Sequence, residues 1–169
     1  MTKINNYDEL IKKVNKLKEN GGVDLSVEED LAIAIMNLIS LEEHFFFTAE
    51  KTGKAEYFGL LETVREMRKQ LLGLMIKQTE GEVWCISKHL LAASMRLLEV
   101  GTKMQSKKQM ESAKEMFKKS YELFSLFFAI RLKLVDLPDI KRENLAENNL
   151  GKPWTKDKIM TELLDCCKE

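Results

Sequence analysis

Residues 26–53, SVEEDLAIAIMNLISLEEHFFFTAEKTG, read as one uninterrupted helix with both ends marked. Ser26-Val27-Glu28-Glu29 has the form of a capping box, in which the Ser26 hydroxyl and the Glu29 carboxylate each accept from the other's backbone N–H. Gly53 supplies the stop, because helices commonly end on a left-handed residue and glycine adopts that conformation without strain. Between the marks, Leu31, Ile35, Leu38, Phe45 and Ala49 recur at helical spacing on one face.

Outward from this stretch the pattern repeats. A second helix is expected from about Lys54 to Gln78, broken at Thr79-Glu80-Gly81. A third runs from Glu82 to about Gln105, and a fourth spans roughly 109–135, ended by Asp136-Leu137-Pro138. Each is about 25 residues, close to 38 Å at 1.5 Å per residue. Links this short make successive helices antiparallel neighbours. The expectation is an all-α single domain: an antiparallel up-down four-helix bundle over residues 23–137.

Two flanks complete it. Residues 1–22 hold a short lead helix, with Tyr7, Leu10, Ile11, Val14 and Leu17 on one face and Asn20-Gly21-Gly22 as its stop. Residues 138–169 form a polar linker and a short terminal helix capped by Thr155. Trp154, Ile159, Leu163 and Leu164 give that helix an apolar edge, so it is expected to dock on the bundle.

Composition bounds the function. Lys+Arg and Asp+Glu are both 27, so the formal net charge is zero and nucleic acid is not an expected partner. The basic cluster Lys103, Lys107, Lys108 is followed at once by Glu111 and Glu115 and reads as a solvated turn. Two prolines and eight glycines among 169 residues favour helix. The N-terminus has no apolar run of signal-peptide length, and stretches such as LAIAIMNLISL fall short of a membrane span. Three cysteines, an odd number, suit a reducing compartment. A cytoplasmic protein without a membrane segment is expected.

Three charges fall on otherwise apolar stripes: Glu42 on the first long helix, Arg68 on the second and Arg131 on the fourth. A charge on a buried face must be paired and hydrogen-bonded. Glu42 and Arg68 lie at similar heights from their shared turn, so a buried ion pair is expected. Arg131 lies level with Asp30 and is expected to pair there or to reach solvent. The functional alternative is an anionic ligand, a phosphate or carboxylate, held by Arg68, Arg131 or both.

Cys85 and His89 stand one turn apart on the third helix, a spacing that lets both ligate one metal ion. Structural zinc takes four ligands, and the other cysteines are Cys166 and Cys167 in the terminal helix. If that helix crosses the third, Cys85, His89, Cys166 and Cys167 could hold a zinc or iron ion. A thiol nucleophile at Cys85, in the first turn of its helix and activated by His89, is a further alternative. The plain alternative is a small hydrophobe beside a polar edge residue.

The stretch from Arg96 to Phe128 resembles one tetratricopeptide-type hairpin through Gly101, Ala113 and Tyr121. Repeat folds need about three such units to close a core, and no second copy follows. Ferritin-like carboxylate proteins place a Glu-x-x-His on each of two helices. Here Glu42, Glu43 and His44 are adjacent, so that spacing is absent.

Phe45-Phe46-Phe47 points three ways round its helix, so at least one ring must leave the core. With no motif that names a reaction, the chain reads as a binding protein rather than an enzyme. A protein partner or a second copy of itself is expected on its surplus apolar positions.

Overall fold

The computed structural model describes residues 25–77 and 82–135, together with the separate positions Lys12, Asn15, Lys16 and Glu19. Those four are helical and exposed. The other residues of the lead helix, and the linker and terminal helix expected over 138–169, lie outside the described residues. The fold is all-α: helices α1 (Ser26–Thr52), α2 (Glu56–Met75), α3 (Glu82–Ser106) and α4 (Met110–Arg131) form a four-helix bundle, with no strand among the described residues.

Ends depart from expectation in instructive ways. Leu25, not Ser26, is the N-cap of α1, and no side chain caps it. The Glu29 N–H donates to the Leu25 carbonyl at 2.7 Å, so the first helical turn closes one residue early. Gly53 ends α1 as expected, at φ 67°, with its N–H donating to the Ala49 carbonyl at 2.8 Å. The last helix stops at Arg131, short of 135, and Lys133 follows at φ 55°.

The helices associate as two hairpins, α1 with α2 and α3 with α4, joined chiefly through α1 against α3. In the second hairpin small residues set the approach. Ser87, Ser94 and Gly101 recur every seven residues on α3, and Ala113, Ser120 and Phe127 do so on α4; all six are buried. At the middle layer the Ser94 hydroxyl donates to the Ser120 carbonyl at 2.9 Å and the Ser120 hydroxyl to the Ser94 carbonyl at 2.7 Å. Two turns beyond, Gly101 lies against the Phe117 ring.

The core sits at one end. Ala32, Ile35 and Met36 of α1 meet Leu72, Met75 and Ile76, Trp84, Cys85 and Leu91 of α3, and Phe127 of α4. Toward the other end Phe46 of α1 and Leu98 of α3 continue these core stripes, yet they are 44% and 42% exposed. The two hairpins pack tightly at the end holding Trp84 and leave apolar positions uncovered at the other.

Candidate functional site

The charges on apolar faces resolve into ion pairs. Glu42 accepts from Arg68 Nε at 2.8 Å and Arg68 Nη2 at 3.4 Å, and also from Arg65 Nε at 3.2 Å. Arg68 is 1% exposed, among the largest fully buried side chains of the protein. Arg65 is the member of this cluster that sequence reasoning missed. It lies three residues from Arg68, within reach of the same carboxylate, and its partial exposure hid it from a pattern search for buried charge.

Arg131 pairs with Glu28, its Nη2 donating to Oε1 at 2.8 Å, and not with Asp30. The reason is angular: Glu28 lies near the core side of α1, whereas Asp30, 200° further round, is exposed. Arg68 and Arg131 are not brought together. Their partners Glu42 and Glu28 are fourteen residues apart on α1, about 21 Å of helix.

Cys85 and His89 share a helix but not an environment. The Cys85 thiol is buried, 2% exposed, in the core beside Trp84, and His89 is exposed. Among the described residues no three His, Cys, Asp or Glu side chains group as a metal site would require. Cys166 and Cys167, the other expected ligands, lie outside the described residues.

A surface feature stands out instead, on the first hairpin. Positions advance 100° per residue round a helix. From the side of α1 that meets α3, where Glu43 pairs with Arg96 at 2.5 Å, the next side meets α2 through Phe45 and Glu42. Beyond these come Ala34, Leu41 and Thr48, seven residues apart. On α2, the α1-facing residues Tyr57 and Arg68 are followed by Leu60, Met67 and Leu74, again seven apart. Because the Glu42–Arg68 contact belongs to a helix and a neighbour that folds back on it, both rows emerge on one side, turned away from α3 and α4. Leu41 lies level with Met67, Thr48 with Leu60 and Ala34 with Leu74.

This face is apolar and exposed: Leu60 48%, Met67 49% and Leu74 72%. It is also uncharged. On α1 its positions between 31 and 49 are Ile33, Ala34, Asn37, Ser40, Leu41, His44, Phe47 and Thr48. On α2 between 57 and 76 they are Leu60, Thr63, Val64, Met67, Gln70, Leu71 and Leu74. Charged residues make up 32% of the chain, so fifteen positions without one is a marked depletion. The second hairpin shows the ordinary pattern, with Lys114–Glu111, Lys118–Glu122 and Lys119–Glu115 pairs along α4. There the hydrogen bond from Lys119, and secondarily its charge, hold the Glu115 carboxyl below its usual pKa.

The same lack of charge makes α1 long and apolar enough to cross a membrane, with an 18-residue stretch of mean hydropathy 1.3. This corrects the expectation that every apolar stretch falls short of a span. A core helix of a soluble protein passes the same test when it is mostly buried; here 17% of the stretch is buried, with Ala32, Ile35 and Met36 in the core and Glu42 against two arginines. The sequence signal that could have revealed the face was present: Leu60, Val64, Met67, Leu71 and Leu74 alternate spacings of four and three, as a helix-pairing seam does. Leu60 adjoins the buried Leu61, so apolar spacing alone does not separate this seam from the core.

Comparison with protein-family models, with curated proteins and with solved structures found no match.

Proposed function

We propose that this protein acts by binding protein, through the uncharged outer face of the α1–α2 hairpin. The observation that carries this reading is the conjunction of exposure and charge depletion on two adjacent helices. Interfaces lose charge at their centres and keep apolar side chains there, while a solvated helix face is normally polar. An exposed apolar area two helices wide marks an interaction surface on a soluble chain.

A photo-crosslinking residue at Met67 tests it in cells that make the protein. A protein adduct of discrete mass should form from position 67 and not from Tyr121, which is 72% exposed on the charged helix α4. Equal labelling from both positions, or no protein adduct from position 67, would refute the reading.

A further inference from the structure

Contact within each hairpin runs along its whole length. On α2, Leu61, Arg68 and Met75 stand seven residues apart on the side that carries Arg68 to Glu42, and all three are buried. Where α3 meets α4, Ser87, Ser94 and Gly101 on one helix and Ala113, Ser120 and Phe127 on the other are buried in the same way. Each hairpin is also fastened away from the core end. Glu42 holds Arg65 and Arg68, the Phe45 and Tyr57 rings lie 6.3 Å apart, and Gly101 touches the Phe117 ring.

Between the hairpins the pattern changes along the helix. On α3, Trp84, Leu91 and Leu98 form a line at the same seven-residue spacing, yet the first two are buried and Leu98 is 42% exposed. On α1, Ile35 and Phe46 are eleven residues apart, about three turns and so on one side of the helix. Ile35 is fully buried and Phe46 is 44% exposed. Both lines begin in the core that the two hairpins share, so both face the space between them.

Phe46 and Leu98 also lie at one height. The starts of α1 and α3 meet in the same core, so the two helices run in the same direction from it. Glu43, three residues before Phe46, reaches Arg96, two residues before Leu98. Each of these apolar side chains is therefore the counterpart of the other, on a joint that is packed at one end and parted at the other.

Two bodies fastened along their own length, and to each other at one end, have one easy motion: rotation about that end. Rotation that narrows the far end breaks nothing within either hairpin. It takes Phe46 and Leu98 out of water together, which is favourable in proportion to the apolar area removed. Among the described residues two ion pairs cross between the hairpins. Arg131–Glu28 lies at the core end, where the rotation moves it least. Arg96–Glu43 joins two long side chains close to half exposed, which can follow the movement without fixing the separation. Closure about a hinge is one of the ordinary large motions of proteins.

We infer that the two hairpins form a hinge about the Trp84 end, opening and closing a cleft at the other end, and that the closed arrangement places Phe46 against Leu98. The motion is independent of the protein-binding face, which lies on the sides of α1 and α2 turned away from the second hairpin.

Pulsed electron spin resonance on the full chain reads the cleft directly. Nitroxide labels on genetically encoded amino acids at positions 51 and 103, exposed ends of α1 and α3, span it and leave the native cysteines untouched. Labels at 103 and 121, both on the second hairpin, give the spread of a pair that does not move. The 51–103 distances should spread about twice as widely as the 103–121 distances, with a short and a long population. Phe46→Lys should remove the short population, because closure would bury a charge against Leu98, and Leu98→Lys should do the same. Helical circular dichroism should hold in both variants, since both positions are exposed in the open arrangement.

A 51–103 spread no wider than the 103–121 spread would overturn the inference. So would a wide spread that either substitution leaves unchanged with helicity retained. Loss of helicity in both variants would overturn it as well, since Phe46 and Leu98 would then belong to a permanent core and not to a cleft that opens.

Discussion

Arg68 shows what a single residue does in this protein. Its guanidinium is buried and held by the Glu42 carboxylate at 2.8 Å, with Arg65 on the same carboxylate. Removing one partner of a buried pair leaves the other charge uncompensated, at a cost of about 3–5 kcal/mol. Arg65 remains to take part of that load, so Arg68→Ala should lower unfolding stability by about 2–4 kcal/mol, read from chemical denaturation. Arg68→Ala combined with Glu42→Ala should cost less than the sum of the single changes, because the stranded carboxylate is gone. Additive losses would show that the pair is not coupled. Arg131 is placed differently. Its pair with Glu28 is 29% exposed on both sides, and solvent weakens such a pair.

At the scale of the element, glycines separate packing from propensity. A methyl group added at Gly101 of α3 would stand 2.5 Å from Phe117 Cε1 and 2.6 Å from its Cδ1. Gly73 of α2 has nothing within 4 Å of the same position. Alanine is favoured over glycine within a helix by about 1 kcal/mol. Gly73→Ala should therefore raise stability by up to about 1 kcal/mol, while Gly101→Ala should lower it by about 1–2 kcal/mol as α3 and α4 are pushed apart. Thermal melts of the two variants should move in opposite directions. The physical content lies in the α3–α4 seam: Ser87, Ser94 and Gly101 are small because the facing helix comes close, and the reciprocal Ser94–Ser120 hydrogen bonds hold the two helices at that distance.

Over the whole molecule the packing is uneven. The buried cluster joins the start of α1, the end of α2, the start of α3 and the end of α4. At the opposite end Phe46, Phe47, Phe58 and Leu98 remain 42–49% exposed. Local opening costs least where few apolar contacts must be broken. Amide hydrogen exchange should therefore be slower in 32–39, 68–75, 84–95 and 124–130 than in 45–52, 56–61, 98–106 and 110–117. Uniform protection along each helix would contradict this account. The uncovered apolar positions and the uncharged hairpin face together leave the monomer with more exposed apolar surface than its charge content suggests.

The helices were legible from the chain because each rests on local terms. Apolar spacing, the near absence of proline and the glycine at 53 all act within a few residues of where they are read. The Glu42–Arg68 pair was legible too, since short turns make helical height a matter of counting. The face at Leu60, Met67 and Leu74 was not. Leu60 is one position from the buried Leu61 and shares its apolar chemistry, so periodicity alone does not tell the two apart. Likewise Arg131 pairs with Glu28 and not with Asp30, a difference of about 200° round a helix. The chain by itself determined which stretches are helical, and that certain charges needed partners, because those depend on backbone preference and spacing. Only the tertiary structure decided which side of each helix meets another and which is left bare, because burial depends on how far the two hairpins close, a distance no local residue pattern encodes.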